Sequence, residues 1–253
     1  MSLRHGLKRA LPPALLDELR RVSGRGIRFS GDYASWGDAT AAATGYDTDE
    51  ILQRVLAATR AVVAGQAAFE RDSVLFDTPA YSYPLLAALL RAAARNGGRL
   101  NVIDFGGSLG STYRQHRRFL AGLPQLRWCV VEQPHFVAAG RSEFTNDELV
   151  FADTLQQVPW WGQPCVVLLS SVLQYLEDPL PLLDTLRHSG ATGLVIDRTP
   201  IADAAHDRLC VQTVPPQIYR ASYPCRIFAR APLLQRLAPH WDLLAEFPCE
   251  EGQ

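Results

Sequence analysis

The stretch Leu100-Asn101-Val102-Ile103-Asp104-Phe105-Gly106-Gly107-Ser108-Leu109-Gly110 decides the fold. Its first half is an apolar run ending at an acid, and its second half, from Asp104 to Gly110, has the form DxGxSxG. Glycine turns the backbone tightly and lets it approach a ligand with no Cβ in the way. Ser108 is small enough to keep that approach open. The spacing is not the GxGxxG of a dinucleotide fold, and no lysine completes a P-loop. Open α/β sheets bind ligands beyond the carboxyl ends of their strands, so this bend is the first candidate site. Asp104, Gly106, Gly107, Ser108 and Gly110 are its candidate cofactor-binding residues.

Outward from this stretch, β-rich runs alternate with helical ones. The runs are residues 100–105, 126–132, 149–151, 165–170, 194–197 and 241–247, with helices expected at 111–121 and 179–188. The central runs are apolar without two-residue alternation, as strands covered on both faces are. Alternating strand and helix predicts right-handed βαβ units in a doubly wound, mostly parallel, Rossmann-like sheet. Residues 1–96 carry helical patterns and no convincing strand, and are expected to form a helical extension or lid packing on a core domain of residues 97–253. Asp47 with Glu50 resembles a capping box for a helix bearing Ile51, Leu52, Val55 and Val62. A second helix carries Leu85, Leu86, Leu89 and Leu90 and is expected to stop at Asn96-Gly97-Gly98.

Each further strand exit offers polar groups. Glu132 ends the second strand, where an acid accepts from both hydroxyls of a ribose, and Gln133 follows it. Asp153, after the third strand, is a candidate acceptor for an adenine amino group, with Phe151 stacking on the ring. The fourth strand exits through Ser170 and Ser171 toward Gln174, and the fifth through Asp197 and Arg198.

The run Val172-Leu173-Gln174-Tyr175-Leu176-Glu177-Asp178-Pro179 resembles the phrase that follows the fourth strand of class I S-adenosylmethionine (SAM)-dependent methyltransferases. The Asp104–Gly110 bend resembles their acid-led glycine loop, departing once at Ser108. Ile196-Asp197-Arg198-Thr199-Pro200 fits the fifth exit, so the likeness covers about residues 100 to 247. A narrower resemblance, to a bacterial methyltransferase family of unknown substrate, rests on Gly31-Asp32-Tyr33-Ala34-Ser35-Trp36, Gly45-Tyr46-Asp47, Tyr81-Ser82-Tyr83-Pro84, Val131-Glu132-Gln133-Pro134-His135-Phe136 and Ser222-Tyr223-Pro224. The resemblance implies a class I methyltransferase fold, SAM as cofactor, and methyl transfer to a small-molecule or sugar-containing acceptor. That family usually ends in a reversed hairpin, strands six and seven. Here either strand seven is missing or residues 225–229 take its place.

Methyl transfer is an in-line displacement that depends on alignment, and a hydroxyl acceptor also needs a base. His135, Asp197 and Arg198 are the candidates. Asp197 is a base or cation ligand, Arg198 an anchor for an acidic or phosphorylated substrate, and an internal Asp–Arg pair is the equal alternative. Tyr33, Gln174 and Tyr223 are candidate substrate contacts. Aromatics with polar tips, Tyr33, Trp36, Tyr81, Tyr83, Tyr219 and Tyr223, suit a lid or a sugar-stacking wall, although core packing is favoured for Trp36 and Tyr83.

Composition sets the outer bounds. A net charge of −1 gives no case for nucleic acid as partner. Five cysteines without CxxC spacing suggest reduced thiols in a cytoplasmic protein. No run reaches the roughly 18 apolar residues of a membrane span, and the basic start with Leu11, Leu15, Leu16 and Leu19 lacks the features of a signal peptide. The remaining histidines show no metal-ligand spacing, so no metal is expected. Two alternatives stand beside the enzyme. One is a non-catalytic nucleotide-fold module that assembles with a partner; the weaker one is a nicotinamide oxidoreductase, which the glycine spacing disfavours.

Overall fold

A computed structural model describes residues 27–45, 48–215 and 221–248. The basic leucine-bearing start, Asp47 of the expected capping box, Tyr219 and Cys249 lie outside the described residues. In chain order the elements are β1 (Arg28–Tyr33), α1 (Trp36–Ala42), α2 (Thr48–Val63), β2 (Phe69–Arg71), β3 (Val74–Phe76), α3 (Tyr83–Arg95) and β4 (Arg99–Phe105). There follow α4 (Ser111–Leu120), β5 (Gln125–Val131), α5 (Pro134–Glu143), β6 (Leu149–Ala152), β7 (Cys165–Ser170), α6 (Leu180–Leu186) and β8 (Ala191–Asp197). Last come β9 (Ile201–Ala202), β10 (Arg208–Thr213), β11 (Ser222–Ala229) and α7 (Arg230–Leu237). The chain divides into two compact units: Met1–Tyr46, Arg208–Cys225 and Phe247–Gln253 form one, Asp47–Asp207 and Arg226–Glu246 the other.

The larger unit is built on a five-stranded sheet in the order β6-β5-β4-β7-β8, every pair parallel. This is the expected doubly wound, parallel, Rossmann-like sheet. Its strands lack alternation because both faces are covered. Successive side chains of a strand point to opposite faces, and each face has its own core. Val102, Trp128, Val130 and Leu168 pack with Leu52 and Val55 of α2, Leu85 and Leu89 of α3, Tyr113 and Leu120 of α4, and Val137 of α5. Ile103, Cys129, Val131, Val167 and Leu169 pack with Leu183 and Leu186 of α6 and Leu233 of α7. Helix α3 starts where Ser82 accepts from the Leu85 N–H, with Pro84 in its first turn, and it stops before left-handed Gly97 and Gly98.

The sequence reading needs three corrections here. Residues 1–96 are not free of strands, since β1 and the β2–β3 hairpin lie among them. No strand forms at 241–247; Leu243, Leu244 and Phe247 are exposed there. An apolar run becomes a strand only where a neighbour satisfies its backbone, and among the described residues none pairs with this one. Residues 225–229 are extended as part of β11, but the five-stranded sheet does not include them: Phe228 and Ala229 pair in parallel with Ile201 and Ala202 of β9.

In the smaller unit, β1 pairs antiparallel with β10, from Arg28 opposite Thr213 to Tyr33 opposite Leu209, with a bulge between Ser30 and Tyr33. The Val214 N–H donates to the Ala221 carbonyl at 3.0 Å where the chain returns into β11.

Candidate active site

The larger unit gathers its polar groups where the order of the sheet reverses, at the carboxyl ends of β4 and β7. β4 and β5 stay in register from Arg99 opposite Gln125 to Phe105 opposite Val131, so they release their chains side by side. The Gly106 N–H donates to the Val131 carbonyl at 2.8 Å, and the Glu132 N–H to that of Ala152 at 3.2 Å. Gly106, Ser108 and Gly110 all take left-handed φ angles, 72°, 55° and 85°. A Cβ on Gly106 would lie 2.6 Å from Val172 Cγ2, and one on Gly107 would lie 2.5 Å from the Asp104 carboxyl. The loop therefore needs glycine at both positions, for conformation and contact at Gly106 and for contact at Gly107.

Asp104 supports this loop from beneath. It is 1% exposed, and its Oδ2 accepts from Trp128 Nε1 at 2.9 Å. Burial pushes its carboxyl up to about 7, while the indole N–H pulls the other way. Glu132 stands at the rim next to the loop. Its carboxylate accepts from its neighbour's N–H, Gln133, at 2.7 Å and from the Ser108 N–H. Burial holds this carboxyl above the usual range as well. His135 follows on the first turn of α5, and its buried Nε2 has no hydrogen-bond partner. Gln133 is exposed just before Pro134 opens that helix.

Asp153 is already paired, 3.0 Å from Arg141 Nη1, and its own N–H donates to Gln157 Oε1. Phe151 cannot stack on a ligand as expected. It is 5% exposed and lies under α5, so close that a Cβ on Gly140 would come within 2.5 Å of its ring. At the exits of β7 and β8, Ser170 Oγ donates to Asp197 Oδ2 at 2.8 Å and accepts from Arg198 Nε at 3.1 Å. Left-handed Ser171 donates its N–H to the Asp197 carbonyl. Gln174, 2% exposed, donates to Ser171 Oγ at 3.0 Å and to the Arg198 carbonyl at 3.2 Å. Arg198 lies 3.9 Å from Asp197 Oδ2 and 3.6 Å from Asp72 Oδ2. The Asp–Arg pair anticipated as an alternative is thus present, inside a wider network. Tyr33 and Tyr223 belong to the smaller unit, where the Tyr223 hydroxyl accepts from Gln212 Nε2 at 3.3 Å. Tyr83, expected in the core, is 66% exposed.

Sequence reasoning missed the contribution of the β2–β3 hairpin. Glu70, 4% exposed, accepts from the Ser111 hydroxyl at the start of α4 and from the Ser73 N–H at 3.2 Å. Its carboxyl is raised by burial. Arg114 lies within its field, its own pKa lowered by burial to about 10, donating to the Leu109 carbonyl beneath the glycine loop. The hairpin's turn, left-handed Asp72 and Ser73, brings Asp72 to Arg198. The one available signal was a two-residue Asp72-Ser73 step between Phe69 and Phe76, without the glycine that marks such turns. Among the described residues, no group of three histidine, cysteine or acidic side chains is arranged to hold a metal. No described helix is long and apolar enough to cross a membrane.

No protein-family model matches the chain, and no curated protein matches it. Solved structures do. The N-terminal domain of EvdMO1, in the presence of S-adenosylhomocysteine (SAH) and D-fucose, matches at 18% identity over 78% of this chain and 87% of that one, TM-score 0.41. The Burkholderia thailandensis 1,6-didemethyltoxoflavin-N1-methyltransferase, with bound 1,6-didemethyltoxoflavin and SAH, matches at 14% identity over 77% and 79%, TM-score 0.36. A complex containing the Haloferax volcanii Trm112 methyltransferase activator matches at 19% identity over 43% of this chain, TM-score 0.30, and the match spans 49% of that chain. At such identities and scores, the fold of this chain rests on its own strand order.

Proposed function

We propose that the chain is a SAM-dependent methyltransferase acting on a small-molecule or carbohydrate-like acceptor. The observation that carries this reading is the juxtaposition at the exits of β4 and β5: a left-handed small-residue loop whose Ser108 N–H meets the Glu132 carboxylate. The residues present suit an adenosine with a methionine tail. The loop turns through left-handed φ angles at Gly106, Ser108 and Gly110, Glu132 can accept from two ribose hydroxyls, and the unpartnered His135 Nε2 adds a polar atom nearby. When bound, SAM supplies an electrophilic methyl group. The chain's own part is to hold and align. Asp104 and Trp128 brace the loop from below, Gln174 holds the Arg198 backbone, Ser170 holds the Asp197 side chain, and Asp197 is the acceptor-side carboxylate. His135 is the alternative proton acceptor. Arg198 orients Ser170 and balances the charge of Asp197.

A second reading, a non-catalytic module of the same fold, is favoured by one observation: Gln174 is tied to the Arg198 carbonyl, and Arg198 pairs with Asp197. Incubating the full chain with methyl-labelled SAM and a panel of sugar, phenol and amine acceptors separates the two. Label appearing in an acceptor, and lost in Asp197→Asn, supports the enzyme; absence of transfer across the panel, with SAM bound, supports the module.

A further inference from the structure

The smaller unit contains two cysteines that the proposed reaction does not use. Within it, Val214 pairs with Ala221, and two residues further along each strand the Gln212 and Tyr223 side chains meet. Another two residues along, Cys210 faces Cys225. Both are fully buried, and Cys210 Sγ donates to the Cys225 carbonyl at 3.3 Å. Residues directly opposed across antiparallel strands have Cα atoms about 4.5–5.5 Å apart, inside the range a disulfide spans.

We propose that Cys210 and Cys225 are an oxidisable dithiol, converted by a peroxide into a cross-strand disulfide that ties β10 to β11. The neighbouring thiol prepares Cys210. The Cys225 S–H stabilises a Cys210 thiolate, lowering its pKa with help from Arg208, while Asp32 opposes; the second proton, on Cys225, is correspondingly held. The Cys210 thiolate attacks one peroxide oxygen. The O–O bond breaks, hydroxide leaves and is protonated to water, and Cys210 becomes a sulfenic acid. The Cys225 sulfur then attacks the Cys210 sulfur, the S–O bond breaks, and the hydroxyl leaves with the Cys225 proton as water. Two thiols and one peroxide give one disulfide and two waters. Burial limits access, so oxidation follows the local openings by which strands admit small solutes. Among the described residues, Cys129 and Cys165 have no such partner thiol, and burial pushes them up to about 12 and about 11, which keeps them as unreactive thiols.

The test is a peptide map of the full chain after treatment with hydrogen peroxide, with thiols alkylated under denaturing conditions. Trypsin places Cys210 in residues 209–220 and Cys225 in residues 221–226. The expected result is a mass loss of two hydrogens, these two peptides linked, and the link released by dithiothreitol, while Cys129 and Cys165 stay fully alkylated. In Cys225→Ser the linked peptides should vanish and dimedone should capture Cys210. Full alkylation of both cysteines, links to other cysteines instead, or separate oxidation to sulfinic acids would overturn the proposal.

Discussion

At the scale of single residues, the account turns on carboxyls held where water is scarce. Asp104 is ordinarily ionised above about pH 3.8, yet in the fold it titrates near 7 because burial penalises its charge. The folded state therefore keeps a proton that the unfolded state has lost. Stability is full below the unfolded value, falls as pH rises toward about 7, and levels off above it. At pH 8 the penalty is on the order of 4 kcal/mol. Asp104→Asn keeps an acceptor for Trp128 Nε1 and removes the titration, so urea unfolding of this variant should show a flatter dependence between pH 4 and 7. An unchanged slope would assign it to other groups, of which Glu132 and Glu70 shift in the same direction. Gly106 offers a second test. Alanine there must adopt φ 72° and place a Cβ 2.6 Å from Val172 Cγ2. The left-handed strain alone costs about 1–2 kcal/mol. Gly106→Ala should lower the urea midpoint, and adding Val172→Ala should cost less in that background than alone. Equal costs would show that the two side chains do not meet.

At the scale of elements, the β2–β3 hairpin ties the glycine loop to the rest of the rim, through Glu70 to Ser111 and through Asp72 to Arg198. Glu70→Ala leaves the Ser73 N–H without its acceptor and the half-buried Arg114 without its counter-charge. It should destabilise the protein by about 2–3 kcal/mol in denaturant titration, with Glu70→Gln intermediate. A change under about 0.5 kcal/mol would relegate the hairpin to surface decoration. The same comparison shows what sequence could disclose. β4, β5 and β7 were legible because Val102, Trp128, Val130, Val167 and Leu168 are buried on both faces of one sheet, and their exits carry the loop and Glu132. β2 and β3 have three residues each, too few for a period to emerge. β1, Arg-Phe-Ser-Gly-Asp-Tyr, is exposed and polar, so nothing in its composition marks a strand. The apolar run at 241–247 misled because periodicity cannot supply a pairing partner.

At the scale of the whole molecule, the fold class and the placement of the loop beside Glu132 followed from the order of strand exits alone. The division of the chain did not, because β10 and the first half of β11 join residues far away in sequence. Nor did the engagement of Asp153 with Arg141 or of Gln174 with Arg198, since both depend on neighbours brought in by folding. The central claim is that an adenosine sits where the loop meets Glu132. Isothermal titration of SAH into the full chain and into Glu132→Ala tests it most directly. A charged acceptor bonded to two hydroxyls is worth about 1.5–3 kcal/mol, so saturable binding by the parent chain and affinity about tenfold or more weaker in the folded variant are expected. No heat at millimolar SAH, or equal affinity in both proteins, would contradict it.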